Sequence, residues 1–216
     1  MSTLVSAVAA AGPLAAGWSA HSWRLRRRIE AARRDPLTNL STRAGFERDA
    51  ARLLARASAV VVVVVDLDGF KQVNDTYGHE VGDQVIRGAG GGLAEWNQDC
   101  GDGLVARLGG DEFVACFPAD DLDRAHLALS GLHDMLTAPL WCCEQAVSVG
   151  ASVGGCWSPE PSAYDLPAML RRADEAMYTA KRNGGGVFVT DQPAPMQPTV
   201  NGRRAGRRGT TKGGRS

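Results

Sequence analysis

The chain of 216 residues has no net charge, since 24 lysines and arginines balance 24 aspartates and glutamates. Overall charge therefore names no partner, neither nucleic acid nor an anionic surface. It also lacks any C-x-x-C pair. Its five cysteines, at 100, 116, 142, 143 and 156, are odd in number, and neither His126 nor His133 stands at a usual zinc-ligand spacing from them. This argues against a disulfide framework or a zinc site and fits reduced thiols in a cytosolic compartment. No internal repeat is visible, which argues against a solenoid. The 44% hydrophobic content is globular, and the length suits one domain of about 150 residues plus extensions.

Charge is uneven along the chain. Residues 24–34, "RLRRRIEAARR", hold six arginines against one glutamate, and "NGRRAGRRGTTKGGRS" at the other end has only positive charges. The segment between them is therefore acidic. Ahead of the first cluster, "LVSAVAAAGPLAAGWSAHSW" (residues 4–23) has no formal charge and about the length of a membrane-spanning helix. The arginines after it would keep the following domain in the cytoplasm, so the expected location is a cytoplasmic domain anchored to the inner membrane. The alanine content, Gly12, Pro13 and Gly17 leave a soluble or interfacial leader as the alternative. The expected organisation is an anchor at 1–23, a basic linker helix at 24–34, a domain at 35–190, and a basic tail at 191–216. Pro, Gly, Arg and Thr dominate that tail, which reads as disordered.

Within the domain, Ser41 or Thr42 can cap a helix whose apolar face includes Phe46, Leu53 and Leu54. Six consecutive valines (60–65) form an unbroken apolar run, the pattern of a strand covered on both faces. "HEVGDQVIRGAGGGLAEW" reads as a helix weakened by Gly88, Gly90, Gly91 and Gly92, which mark either close packing or an early end. "DGLVARLGGDEFVACFP" reads as a hairpin, "QAVSVGASVGGCW" as a strand, and "SAYDLPAMLRRADEAMYTAKRN" as a helix stopped by Gly184–Gly186 before a last short strand. One hairpin among helix crossovers predicts a mixed α/β (α+β) fold, a central sheet flanked by helices.

Two features carry candidate chemistry. The valine strand ends in "DLDGFKQVND", so Asp66 and Asp68 stand at its carboxyl end on one side, where open α/β sheets tend to bind ligands. The glycine turn of "RLGGDEFVACF" is followed at once by Asp111 and Glu112. If the two strands are neighbours, these carboxylates and the Leu67 carbonyl converge as an all-oxygen set. Such a set suits Mg²⁺, or Mn²⁺, most readily when phosphates complete the shell. Gly69–Lys71, between strand and helix, can turn backbone N–H groups toward a phosphate. Asn74 and Asp83 have the donors and acceptors to read a guanine edge. The plainer readings are a polar hairpin tip, a solvated Lys71, a turn at "NDTYGH", and His79 as a capping or packing residue.

"DPLTNL", "DLDGFKQVNDTYGHEVGD", "RLGGDEF" and "ADEAMYTAKRNG" stand in the order and spacing of GGDEF-domain diguanylate cyclases, and the resemblance covers about Asp35 to Thr190. It implies the nucleotidyl cyclase and polymerase palm fold, with the hairpin carrying the GGDEF turn. It implies Mg-dependent condensation of two GTP to cyclic di-GMP and pyrophosphate, by a homodimer in which each subunit holds one GTP. By position, Asp66, the Leu67 carbonyl and Asp111 would hold the metal. Asp111 and Glu112 would be catalytic, and Gly109 and Gly110 would let the turn approach substrate. Asn74 and Asp83 would take guanine with His79 nearby, and Phe70, Lys71 and Lys181 the phosphates. A non-catalytic nucleotide-binding module of the same family is the alternative, and a nucleic-acid binder using the basic tail the least favoured. Two positions depart from the family pattern. Cys100 and Gly103 replace the R-x-x-D motif through which many relatives are inhibited by product, and Gly185 replaces a frequent arginine. No sensory domain is expected within the residues before Asp35.

Overall fold

The computed structural model describes residues 18, 33–101, 103–142, 145–160, 166–191, 199–200 and 203–204. The expected anchor and basic linker lie outside the described residues, apart from Trp18, Arg33 and Arg34. Among the described residues no helix is long and apolar enough to cross a membrane. In the tail, Thr199–Val200 pairs antiparallel with Arg203–Arg204, and the disorder expected for residues 192–198, 201–202 and 205–216 lies outside the described residues.

The domain runs β1 (Ser41–Thr42), α1 (Arg43–Arg56), β2 (Val60–Asp68), α2 (Phe70–Tyr77), α3 (His79–Asp99), β3 (Leu104–Gly109), β4 (Glu112–Pro118), α4 (Leu122–Thr137), β5 (Leu140–Cys142), β6 (Gln145–Val147), β7 (Gly150–Ser158), α5 (Leu166–Arg182) and β8 (Gly186–Thr190). Six strands form one mixed sheet in the order β1-β3-β4-β2-β7-β8. β2 lies at its centre, antiparallel to both β4 and β7, while β7 and β8 are parallel.

The valine run explains that centre. Side chains of a strand alternate between faces. Val61, Val63, Val65 and Leu67 enter one core with Val85, Ile86 and Leu93 of α3 and Leu129 and Leu132 of α4. Val60, Val62 and Val64 enter a second core with Phe46 and Leu53 of α1 and Met169 and Met177 of α5. β-branched side chains fit a strand buried on both faces, and each buried valine contributes about 1.5 kcal/mol or more. Burial also raises the pKa of individual thiols. The described cysteines are free; burial pushes Cys116 up to about 12, and burial with the nearby Asp99 charge pushes Cys100 up to about 11.

Gly88, Gly90 and Gly92 of α3 mark close packing, and the helix does not end early. A Cβ at Gly88 would stand 2.8 Å from Leu140, at Gly90 2.7 Å from Thr38, and at Gly92 3.1 Å from Met135. Three other segments thus lean on one helix, and the lost helix propensity is offset by their contact. Elsewhere the structure departs from the pattern reading. "QAVSVGASVGGCW" is two strands, because Gln145–Val147 pairs with β5 as a separate hairpin and Gly150 starts the pairing with β2. Thr42 occupies the N-cap of α1 without a side-chain cap bond; its N–H donates to the Arg33 carbonyl at 2.7 Å.

Candidate active site

At the end of β2 the segments that carry the two carboxylate pairs are neighbours. β2 and β4 are neighbours with Asp66 opposite Glu112, and the Leu67 N–H donates to the Asp111 carbonyl at 3.2 Å. Asp66 is buried, and Asp111 and Glu112 are half-buried beside it. The β3–β4 turn is Gly110–Asp111, with Gly109 at φ 142° and Gly110 at φ 56°, backbone that favours glycine. The Arg107 Nε and NH2 donate to the Gly110 carbonyl at 3.0 and 2.8 Å. Its NH1 reaches the Asp35 carboxylate at 3.0 and 3.3 Å. Asp35 also accepts from the Thr38 N–H and hydroxyl at 2.9 and 2.8 Å. Burial works to raise the Asp35 pKa, but the Thr38 bonds and the Arg107 charge hold it below the ordinary value of 3.8. The "DPLT" segment is in this way fastened to the glycine turn.

α5 supplies the cation. A Cβ at Gly154 of β7 would fall 2.0 Å from the Met177 nitrogen and 2.2 Å from the Ala173 carbonyl, so α5 lies directly on the sheet at this point. Gly154 is opposite Val64, and Ser152 opposite Asp66. One helical turn beyond Met177, Lys181 therefore comes over the end of β2. Its ammonium donates to Asp66 Oδ1 and lies 3.5 Å from Asp68 Oδ1. Both aspartates share the α5 side of the sheet, as alternation predicts. Partial burial lowers the Lys181 pKa, but the bond to Asp66 and the charges of Asp66 and Asp68 raise it further, and the net shift is upward.

The remaining candidates fall on the α2–α3 pair. Gly69, at φ 73°, turns the chain from β2 into α2. Phe70 and Lys71 occupy the first turn, where backbone N–H groups have no intrahelical acceptor. What read as a turn at "NDTYGH" is the end of α2 followed by Gly78 at φ 84°. The hairpin lays Asn74 against α3: a Cβ at Gly82 would stand 1.9 Å from Asn74 Oδ1, and Asp83 is the next residue. Asp83 has its carboxylate 4.0 Å from Arg87. Lys71 is 89% exposed and 3.9 Å from Asp75, and His79 opens α3 exposed to solvent. The sequence reading missed Ser152, whose hydroxyl donates to both Asp68 oxygens at 3.0 and 2.8 Å, and the Arg107–Asp35 pair. A lone serine in an apolar strand gives no signal until its cross-strand neighbours are known.

Among the described residues no three acidic, histidine or cysteine side chains close on one point. The donors at the end of β2 are nevertheless all oxygen, and a cation, the Lys181 ammonium, stands on two of them. That chemistry fits a hard divalent ion that takes one or two carboxylates and completes its shell with backbone, water and phosphate oxygens.

A mixed sheet flanked by helices, with two acidic segments meeting beyond its central strand and a glycine turn beside them, is an α/β domain with an acidic site at one strand end. The family model for "Diguanylate cyclase, GGDEF domain" matches residues 32–186, and the chain belongs to that family. A 19.3 kDa protein from the repSA 5′ region of Streptomyces ambofaciens, uncharacterised, is 42% identical over 76% of this chain and 87% of its own length. The cyclic di-GMP phosphodiesterase PdeR of Escherichia coli is 36% identical over 77% of this chain, which spans 25% of PdeR. Among solved structures, the coiled coil and GGDEF domain of DgcB from Caulobacter crescentus, in complex with c-di-GMP, aligns with a TM-score of 0.69 at 28% identity, covering 81% of this chain and 96% of that one.

Proposed function

We propose that the domain is a diguanylate cyclase. Two GTP-loaded copies face each other, and the ribose 3′-oxygen of each GTP bonds to the α-phosphorus of the other. The α–β phosphoanhydride bond breaks and leaves as pyrophosphate, and each 3′-hydroxyl gives up its proton. Two such transfers close the ring of cyclic di-GMP. Asp66, the Leu67 carbonyl and Asp111 would hold Mg²⁺, or Mn²⁺ in its place. When bound, the ion supplies positive charge to the phosphates and to the leaving pyrophosphate. Asp111 and Glu112 flank the reacting groups, and Asp111 is the candidate acceptor of the 3′-hydroxyl proton. Lys181 and the Phe70 and Lys71 amides meet phosphate oxygens, and Asn74 and Asp83 meet the guanine edge with His79 beside them. Gly109 and Gly110 keep side chains out of the path of the substrate.

The observation that supports this reading is the pairing of Asp66 with Glu112 and the Leu67–Asp111 backbone bond across neighbouring segments, with the Lys181 ammonium on Asp66. The experiment is incubation of the purified chain with GTP and Mg²⁺ and detection of cyclic di-GMP, over a range of protein concentration. Product that rises more steeply than protein concentration supports two-subunit catalysis. A second reading, a nucleotide-binding regulatory module without turnover, is favoured by the similarity to a protein named as a phosphodiesterase. It predicts GTP binding with no product.

A further inference from the structure

Lysine is a flexible choice for a fixed position: its ammonium is a point charge on a four-carbon stem with much rotamer entropy to lose. Lys181 is 43% exposed, so packing alone does not hold it. Two carboxylates do, and they differ. Asp66 has its backbone between β4 and β7 and belongs to the proposed metal set. Asp68 is outside that set, yet the fold is shaped around its carboxylate. Gly150 is its register partner on β7, and a Cβ there would come within 3.1 Å of Asp68 Cβ. Gly185, at φ 98°, would place a Cβ 3.0 Å from Asp68 Oδ2. Ser152, two residues from Gly150 on the same face, gives its hydroxyl proton to Asp68 from a fully buried position where no water competes.

We propose that Asp68, held in a pocket made by Gly150, Gly185 and Ser152, is the positioning residue that fixes the Lys181 ammonium over the end of β2. Its carboxylate is the counter-charge that Lys181 keeps when the oxygens of Asp66 are engaged elsewhere. Ser152 acts one step further back, by fixing the Asp68 carboxylate. Gly185 then has a role of its own: a side chain there would press on the carboxylate that orients the lysine. The inference deepens the cyclase reading, because the position held is where that reading puts a triphosphate.

The test needs no turnover. Nucleotide-free full-length protein is exposed briefly to an amine-acylating reagent, and modification of Lys181 is read by mass spectrometry against the exposed Lys71. An ammonium hydrogen-bonded to Asp66 and 3.5 Å from Asp68 is withheld from the reagent. Ser152→Ala and Asp68→Asn are expected to raise Lys181 labelling several-fold relative to Lys71, and Ser152→Thr, which retains the hydroxyl, to stay near the parent. Labelling unchanged in Ser152→Ala and Asp68→Asn overturns the proposal, even if both variants are less stable, because stability alone is what a merely structural serine would change. In a second arm, both variants weaken GTP several-fold while GMP binding is unchanged; an equal loss for both nucleotides overturns it. A parent protein that binds GTP without forming cyclic di-GMP defeats the cyclase reading and leaves the labelling result to decide this one.

Discussion

Arg107 and Asp35 are separated by 72 positions in sequence and joined by one guanidinium nitrogen that donates to both Asp35 oxygens at 3.0 and 3.3 Å, while the other two nitrogens close on the Gly110 carbonyl. The side chains are 14% and 18% exposed, so the pair is well shielded from water. One arginine thereby sets the conformation of the glycine turn and ties it to the entry of the domain.

Replacing Arg107 by alanine leaves the half-buried Asp35 without its cation and the Gly110 carbonyl without its donors. A loss of about 2–3 kcal/mol is expected, since hydrogen bonds to charged groups are worth about 1.5–3 kcal/mol. Lysine at 107 restores the charge but not the fork, and should recover stability only in part. Denaturant unfolding of the three proteins measures this.

The same pair gives a pH dependence with a defined sign. Asp35 is held below 3.8 in the folded protein. Its contribution is therefore fully present above the unfolded value and is lost as pH falls from about 4 through the lower folded value. Asp35→Asn should reduce stability at neutral pH, and the difference from the parent should shrink on acidification. Unfolding curves at several pH values test it; a difference that grows toward acid would contradict the assignment.

Adjacent glycines of α3 should respond in opposite directions. Gly91 is exposed with open space where a Cβ would go, and Gly91→Ala should stabilise by about 0.5–1 kcal/mol. At Gly90 the Cβ would meet Thr38 Cβ at 2.7 Å and Thr38 Cα at 3.5 Å. Gly90→Ala should destabilise by about 1–3 kcal/mol as the packing is forced apart. Melting temperatures of the two variants decide it.

Much of this was legible in the sequence. The valine run alone implied a doubly covered central strand, and its ending placed Asp66 and Asp68 side by side. The glycine turn implied a hairpin, and the hairpin proved to be the neighbour of that strand. What could not be read were contacts whose partners are far apart in sequence. The packing role of Gly88, Gly90 and Gly92 depends on Leu140, Thr38 and Met135, from three other segments. Gly154 is where α5 touches the sheet and so fixes the reach of Lys181, a contact that no local pattern announces. β6 was absorbed into a longer strand because alternation does not report which partner a strand chooses.

The missing R-x-x-D motif has a structural counterpart. Cys100 caps α3, and Gly103 lies where a Cβ would fall 2.3 Å from Asn97 Oδ1, with the Asn97 amide donating to the Gly103 carbonyl at 3.2 Å. An aspartate at 103 does not fit without moving Asn97. Added micromolar cyclic di-GMP is expected to leave the initial rate unchanged. Strong product inhibition, abolished by a change near Cys100, would contradict this.

The most direct measurement is formation of cyclic di-GMP from GTP and Mg²⁺ by the parent protein and by Asp111→Ala, with folding of both checked by thermal unfolding. Product from the parent and none from a folded Asp111→Ala is the predicted result. Equal product from both, or GTP binding by the parent with no product at any protein concentration, would contradict the account.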